Sequence, residues 1–213
     1  MTPARTILLI TTLLYVLFFF WYGGSGPPLT TEEADAIIAE IEENAKTRSG
    51  DHYDAALIDS FRALTRDDDG REYYMLNLMQ LREKAVYPKG YDYGDDPQAA
   101  ADRYAAVVFP ALLKHGSLPI LMGNYAGAFI PAHPADDWDQ VGIIRYRSRR
   151  DMLDMARELS AHGGGEHKWA SLEKTIVFPI EPIFDLVFVR GAMFAVLFGI
   201  GGAIAFGLRR RSA

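Results

Sequence analysis

Several side chains in the middle of the chain have the chemistry to bind or transform a small molecule. Asn77 carries an amide inside an otherwise apolar stretch, and a buried amide must be hydrogen-bonded by its own fold or by a ligand. Phenol, indole, guanidinium and imidazole groups add stacking surfaces, a cation and a titratable base. The candidate ligand pocket therefore consists of six residues: Asn77, Arg82, Tyr104, Trp138, Tyr146 and His167.

The basic residues near this pocket have a competing role. Arg82, Arg145 and Lys168 could hold an anionic ligand between a sheet and its helices. The chain, however, contains 28 acidic residues against 22 Lys and Arg, and buried arginines are normally paired with carboxylates. Ordinary ion pairs are therefore the favoured interpretation for Arg82 and Arg145.

A metal centre is not expected. His162, Glu166 and His167 are close in sequence, but the two histidines are five apart across three glycines, so they do not lie on a fixed helical face, and no further ligand is evident. The chain has no cysteine, which excludes thiolate ligands and disulfides. No nucleophile motif of the Gly-x-Ser-x-Gly type is present either. Enzymatic activity stays open, with the balance towards a non-catalytic protein that carries no cofactor.

An acidic loop supplies a second type of candidate site. Tyr87, Tyr91 and Tyr93 lie close together, and tyrosine is favoured at protein interfaces. Asp92, together with the neighbouring residues 95–96, would favour a basic partner. The loop is therefore a candidate protein contact, and a pocket lid is the alternative.

The elements that must position these residues follow the order strand–helix–strand–strand–helix–strand. Strands are predicted near 72–82, 119–130, 140–147 and 175–179, with helices beginning after Asp96 and Ser148. This order is typical of an α+β, ferredoxin-like βαββαβ domain, whose helices cover one face of the sheet.

A helical lead-in precedes this domain. Thr30 and Glu33 form a predicted capping box for one amphipathic helix, and a second helix is predicted over 51–65. The predicted domain organisation comprises four segments: an N-terminal transmembrane anchor and linker (1–26), the helical lead-in (27–70), the ferredoxin-like α/β domain (71–182), and a C-terminal transmembrane anchor with a basic tail (183–213).

Four short motifs in this domain resemble the dimeric α/β-barrel superfamily, most closely its small uncharacterised branch. They are MLNLMQLREKAVY at Met75–Tyr87, WD at Trp138-Asp139, IIRYRSRRDMLDM at Ile143–Met155, and HK followed by LEKT within His167–Thr175. The resemblance covers about half of the chain, from residue 71 to 181. It implies that two sheets pair face to face into a barrel, and that the two anchors are additions to a normally soluble fold.

Better-known relatives in that superfamily include monooxygenases, haem-degrading enzymes and small isomerases. In the haem-degrading relatives an Asn, a Trp and a His surround the macrocycle. The resemblance allows Asn77, Trp138 and either His162 or His167 in those roles, although the histidine spacing fits poorly. Haem therefore remains a minor possibility beside the expectation of no cofactor.

Two apolar segments are long enough to cross a membrane. Residues 6–22 carry no charge and end in Trp21 and Tyr22, as an interfacial aromatic belt does. As a helix, residues 191–208 would span about 27 Å, close to the hydrocarbon thickness of a bilayer. A cleaved signal peptide is the alternative for the first segment, but bulky residues stand where a cleavage site needs small ones.

Charge predicts which side of the membrane each part occupies. Arg5 precedes the first segment and three arginines at 209–211 follow the second, and cationic flanks stay in the cytoplasm. Both termini are therefore predicted in the cytoplasm of a bacterium, with the main domain outside its inner membrane. The ends carry a net charge of +4 and the whole chain −6, so residues 27–183 carry −10. Such an acidic domain argues against nucleic acid as a partner.

The second apolar segment has small residues at every fourth position. This small-residue stripe consists of Gly191, Ala195, Gly199, Ala203 and Gly207. Small residues let another helix approach closely within lipid, and the first segment or a neighbouring subunit could supply that helix. We therefore predict an accessory or assembly subunit of a larger membrane complex, or a second copy as partner. The alternative is a dimeric barrel-type enzyme or binder for an apolar or aromatic compound.

Overall fold

The computed structural model describes residues 2–47, 55–130, 137–184 and 187–211. The first four residues of the helix predicted over 51–65, and residues 185–186 of the last segment, lie outside this part. The chain divides into two compact units: Met1–Gly23 with Ile183–Ala213, here called the helical hairpin, and Gly24–Pro182, here called the α+β unit.

Seven helices and four strands lie within the described ranges. In chain order they are α1 (Pro3–Tyr22), α2 (Thr31–Thr47), α3 (Ala55–Thr65), β1 (Tyr73–Leu81), α4 (Pro97–Lys114), β2 (Leu118–Asn124), β3 (Gln140–Tyr146), α5 (Arg149–His162), α6 (Gly165–Ser171), β4 (Leu172–Ile180) and α7 (Val189–Arg211). The strand predicted over 119–130 is too long, because pairing with β3 ends at Asn124.

The two helices of the hairpin are long and apolar enough to cross a membrane, with mean hydropathies of 1.9 and 2.0. They run antiparallel. Thr11 lies against Gly201, and the Tyr15 ring contacts Phe194 and Phe198 edge-on, at centroid distances of 5.3 and 6.2 Å. Aromatic rings and one glycine thus make close contacts between the two helices.

A single arginine joins the end of α1 to the start of α7. The Arg190 guanidinium donates a hydrogen bond to the Gly23 carbonyl and lies 4.7 Å from the Tyr22 ring centroid. That carbonyl belongs to the residue that ends α1, where helix carbonyls lack intrahelical donors. The amino end of α1 and the carboxyl end of α7 therefore lie at the same end of the hairpin.

The small-residue stripe lies on the side of α7 that faces away from α1. Its five members are all exposed: Gly191, Ala195, Gly199, Ala203 and Gly207. A Cβ added at Gly199 would meet no atom within 4 Å, whereas one at Gly201 would lie 2.5 Å from the Thr11 hydroxyl. The first apolar segment therefore packs on a different face of α7 and does not fill the stripe.

The α+β unit contains a four-stranded antiparallel sheet in the order β2-β3-β1-β4. β1 is central, and it pairs Asn77 with Gly142 of β3 on one side and with Val177 of β4 on the other. Because side chains alternate along a strand, residues opposite one another share a face of the sheet. Register therefore decides which candidate residues face the helices.

One face of the sheet packs against α4 and α5. Ile144 and Tyr146 of β3 contact the buried residues of these helices, and Met75 of β1 packs against the core formed with α2 and α3. The middle of the opposite face is apolar on all four strands, while Arg145 and Lys174 lie towards its ends. The apolar residues are Leu76, Leu78, Leu121, Val141, Ile143, Ile176 and Phe178, of which Leu121, Ile176 and Phe178 are exposed.

Three helices, α2, α4 and α5, begin where the sequence predicts. Thr30 and Glu33 form the capping box, with bonds of 3.0 and 3.2 Å between each backbone N–H and the other's side chain. Asp96 caps α4 and Ser148 caps α5 through side-chain oxygens that accept backbone N–H bonds. α2 buries the predicted apolar stripe, which includes Ile38 and Ile41, against α5.

Candidate functional site

Asn77 makes its hydrogen bonds within the sheet. Its amide nitrogen donates to the Met75 carbonyl at 3.1 Å and to the Gly142 carbonyl at 3.5 Å. Gly142 directly opposes Asn77 on the helix-facing side, and a Cβ there would lie 3.0 Å from the Met122 sulfur. A polar side chain is thus accommodated on β1 because backbone carbonyls accept from it.

Two other pocket candidates belong to the interior between sheet and helices. The Tyr146 ring stacks on Tyr73 with a centroid distance of 5.5 Å, and burial raises the pKa of Tyr146, with nearby Tyr104 contributing. Tyr104 packs against the core of α4 and α5, and the Lys168 ammonium lies 5.8 Å from its ring. The Tyr146 phenol therefore stays protonated in the core at neutral pH, and Tyr104 is a partly buried neighbour of that core.

The arginines form ion pairs, as the favoured interpretation predicts. Arg82 lies 2.6 Å from Glu173 beside an open depression of about 430 Å³ whose other residues are mostly charged. Arg145, whose side chain is 0% exposed, pairs with Glu72 and donates to the Gly116 carbonyl at 2.9 Å. Its charge is therefore used inside the fold.

Trp138 marks a junction between β3 and β1. Its ring is buried, with the Lys174 ammonium 4.4 Å from the ring centroid. The next residue, Asp139, accepts from the Leu81 N–H through its carboxylate at 2.7 Å and donates its own N–H to Met79. Asp139 of the Trp-Asp motif therefore connects the residues just before β3 to the end of β1 by hydrogen bonds.

His167 is the pocket candidate whose surroundings suggest chemistry. It lies in α6 with only 8% of its surface exposed. Its Nδ1 is 2.9 Å from the Tyr87 hydroxyl, and its Nε2 lies 4.0 Å from a Glu166 oxygen. When Nδ1 accepts from the phenol, the ring hydrogen resides on Nε2, facing that carboxylate.

The three loop tyrosines gather around this histidine. We call His167, Tyr87, Tyr91 and Tyr93 the tyrosine–histidine cluster. Tyr93 and His167 meet edge-on at 4.9 Å between ring centroids. Tyr93 and Tyr87 are 5.2 Å apart, and Tyr91 lies 6.0 and 6.4 Å from these two. The structure thus joins a residue of the predicted pocket with the predicted protein-contact loop.

The electrostatic setting keeps His167 neutral at pH 7. Burial lowers the pKa of His167; Glu166 raises it, and the Arg103 guanidinium lowers it. Arg103 lies 5.4 Å from the Tyr93 ring, and its Nη1 has no hydrogen-bond partner among the described residues. The cluster therefore presents an unprotonated base hydrogen-bonded to a phenol.

Sequence reasoning missed Arg103, because only the packing of α4 against α6 brings it to His167. Glu166, the residue before His167, was considered only as a possible metal ligand. Sequence reasoning also missed Arg149, which is buried and pairs with Asp68 and Glu181. Local sequence contains no signal for pairs this distant along the chain. The members of the cluster can be recognised by residue type, since the sequence predicts the loop tyrosines as a protein contact and His167 as a pocket residue. It does not predict that they lie together.

Metal and haem ligation find little support in the geometry. The described residues include no group of three His, Asp or Glu side chains placed to hold a metal ion. His162 bonds through Nδ1 to the Glu158 carbonyl at 2.9 Å, away from the cluster. The residues considered for haem each contact a different neighbour: Asn77 bonds to Met75, Trp138 lies under Lys174, and His167 bonds to Tyr87.

No family model matches the chain, and no curated protein matches it. Among solved structures, it is similar to RPA0582, a protein of unknown function from Rhodopseudomonas palustris. The TM-score is 0.54 at 22% identity, over 65% of this chain and 100% of that one. The methylated form of RPA0582 matches with the same TM-score at 24% identity, over 65% and 99% of the two chains. This likeness establishes a shared fold.

Proposed function

We propose that the protein is a membrane-anchored, non-catalytic accessory or assembly subunit of a larger complex in a bacterial inner membrane. In this proposal α1 and α7 cross the membrane, both termini are cytoplasmic, and the acidic α+β unit is extracytoplasmic. The observation that carries the proposal is the antiparallel packing of two apolar helices, one on each side of the folded unit in the sequence.

Charge supports this orientation. Arg5 at the start of α1 and the three arginines at 209–211 belong to the same end of the hairpin. Basic residues flanking a span are retained in the cytoplasm. The residues between the anchors carry −10 and are poorly suited to contact anionic lipid.

The small-residue stripe supports a partner within the membrane. It is exposed along α7 while α1 occupies another face, so a helix from another subunit could approach it closely. Gly199→Leu fills the stripe, whereas Ile204→Phe enlarges an already exposed side chain outside it.

The decisive experiment combines affinity capture from native membranes with quantitative mass spectrometry. A membrane protein should co-purify in a fixed ratio with the wild type and with Ile204→Phe, and be lost with Gly199→Leu. Recovery of a lone monomer from mild detergent, with no such partner, would refute the subunit role.

Orientation is tested separately with cysteine labelling. Because the natural chain has no cysteine, Glu83→Cys and Thr2→Cys each provide one accessible thiol. A membrane-impermeant maleimide applied to intact inner-membrane spheroplasts should label position 83 and spare position 2. The reverse labelling pattern would overturn the proposed sidedness.

We also infer that the α+β unit has the ferredoxin-like arrangement and pairs with a second copy, as dimeric α/β-barrel proteins do. The strand order β2-β3-β1-β4 supports the topology, and the exposed Leu121, Ile176 and Phe178 on the face away from α4 and α5 support the pairing. This second candidate would make the unit a binder of a small apolar or aromatic compound. Ile176→Cys should then form an intermolecular disulfide, whereas Ser60→Cys, exposed on α3, should not.

A further inference from the structure

We propose that Tyr87 is a redox-active tyrosine that passes one electron to an external one-electron oxidant and its phenolic proton to His167. The inference rests on the Tyr87–His167 hydrogen bond of 2.9 Å and on the ring contacts of the tyrosine–histidine cluster. It does not depend on membrane anchoring or on a partner subunit.

The step is balanced by groups in the cluster and one named co-reactant. The oxidant, an outer-sphere metal complex or the cofactor of a redox protein, gains one electron. Tyr87 loses that electron and its hydroxyl proton and becomes a neutral phenoxyl radical. His167 gains the proton at Nδ1 and becomes an imidazolium, and the reverse step restores both residues.

Position and charge suit His167 to receive the proton. It is nearly buried, and its Nε2–H faces Glu166, whose carboxylate lies 4.0 Å away and stabilises the imidazolium. The positive charge of Arg103 repels the imidazolium and so disfavours it. Since burial and Arg103 outweigh Glu166, the resting imidazole is unprotonated at neutral pH and available as a base.

The neighbouring rings provide a route between Tyr87 and the surface. Tyr87 is half-buried, whereas Tyr93, 5.2 Å away, is 42% exposed. Arg103 above the Tyr93 ring opposes a lasting positive charge there, which favours the radical at Tyr87. The exposed Asp92, Asp95 and Asp96 of the same loop would attract a cationic oxidant.

Laser flash oxidation of the full-length protein in mild detergent tests the proposal. Photogenerated ruthenium(III) tris-bipyridine is the oxidant, and the tyrosyl radical is followed by its visible absorption and its electron paramagnetic resonance spectrum. The wild type should form a hydrogen-bonded tyrosyl radical quickly. Tyr87→Phe should abolish that signal, and His167→Gln should slow its formation roughly a hundredfold, a typical general-base contribution.

Two controls separate this role from aromatic packing. Tyr125→Phe removes a tyrosine of the β2–β3 connection, outside the cluster, and should leave rate and spectrum unchanged. In the unsubstituted protein the rate should show a solvent deuterium isotope effect and should fall as acid protonates His167. The proposal is overturned if the radical survives in Tyr87→Phe, if Tyr125→Phe removes it equally, or if the wild-type rate is independent of pH and deuterium.

Discussion

The helical hairpin and the α+β unit are stabilised by different means. In the hairpin, ring contacts and close approach at Gly201 hold α1 to α7, and Arg190 bonds to the carbonyl that ends α1. In the α+β unit, charged side chains are themselves buried: Arg145 is fully enclosed, and Arg149 pairs with Asp68. Among the described residues, the contacts between the two hairpin helices are therefore mostly apolar, whereas buried ion pairs in the α+β unit connect segments that are distant in sequence.

The two units should therefore be sensitive to different kinds of substitution. Helices in an apolar setting are sensitive to volume at their contact, because packing is the main attraction between them. A water-facing unit with enclosed ions is sensitive to loss of one partner, because an unpaired buried charge is costly. Substitutions at enclosed ions and at helix contacts should therefore destabilise the protein for different reasons and by different amounts.

Arg145→Leu should lower the free energy of unfolding by about 3–5 kcal/mol, since it removes the hydrogen bonds that the enclosed guanidinium donates to Glu72 and to the Gly116 carbonyl. Chemical denaturation followed by circular dichroism measures the change. Arg157→Leu, which removes a more exposed ion pair with Asp154, should change stability by less than about 1 kcal/mol. Equal effects of the two substitutions would contradict the distinction between enclosed and surface charge.

Gly201→Leu should weaken the hairpin by about 1–3 kcal/mol, because a Cβ there would lie 2.5 Å from the Thr11 hydroxyl. Titration of the detergent-solubilised protein with SDS, monitored by tryptophan fluorescence, reports this loss. Gly199→Leu is the matched control, since a Cβ at Gly199 meets nothing within 4 Å. If Gly199→Leu weakened the hairpin as much, contact volume would not be the determining property.

Thr30→Ala should destabilise the α+β unit by about 1 kcal/mol, because the Glu33 N–H loses its capping acceptor. Thermal unfolding measures the loss. Thr31→Ala next to it removes an exposed hydroxyl from the first residue of α2 and should have a smaller effect. An equal loss in both variants would mean that the capping box contributes nothing.

The smallest effect is a pH dependence. The pKa of His167 lies below its ordinary value because of burial, so the unfolded chain binds this proton more readily than the folded one. The free energy of unfolding should therefore decrease as pH falls below about 6.5 and through the lower folded-state pKa. The slope should stay under about 1.4 kcal/mol per pH unit, the limit for one proton. His167→Gln should remove this component, while His162→Gln, at an exposed position, should retain it.

Local sequence accounts for much of the fold. Cap residues predict where α2, α4 and α5 begin, because each cap is satisfied within a few residues of itself. Strand ends are less predictable: the segment after Asn124 is as apolar as a strand, yet β3 offers no partner there. A strand requires a neighbour, and the neighbour is distant in sequence.

The candidate site shows the same division. Residue types alone select His167 and the clustered tyrosines, but their common environment depends on the loop after β1 lying against α6. Residue type also predicts Asn77 as a ligand contact. In the structure, strand register places its amide beside the carbonyls of Met75 and Gly142, which accept its hydrogen bonds.

Sequence patterns alone are enough to predict the two apolar helices, the acidic charge between them, the order of elements and the capped helix starts. These are properties of composition, or of contacts within a few residues. Tertiary packing is what places α1 away from the small-residue stripe, encloses Arg145 beside Glu72, and joins Tyr87 to His167 by a hydrogen bond. Those contacts join residues that are many positions apart, and packing volume, strand register and burial select their partners after the chain has folded.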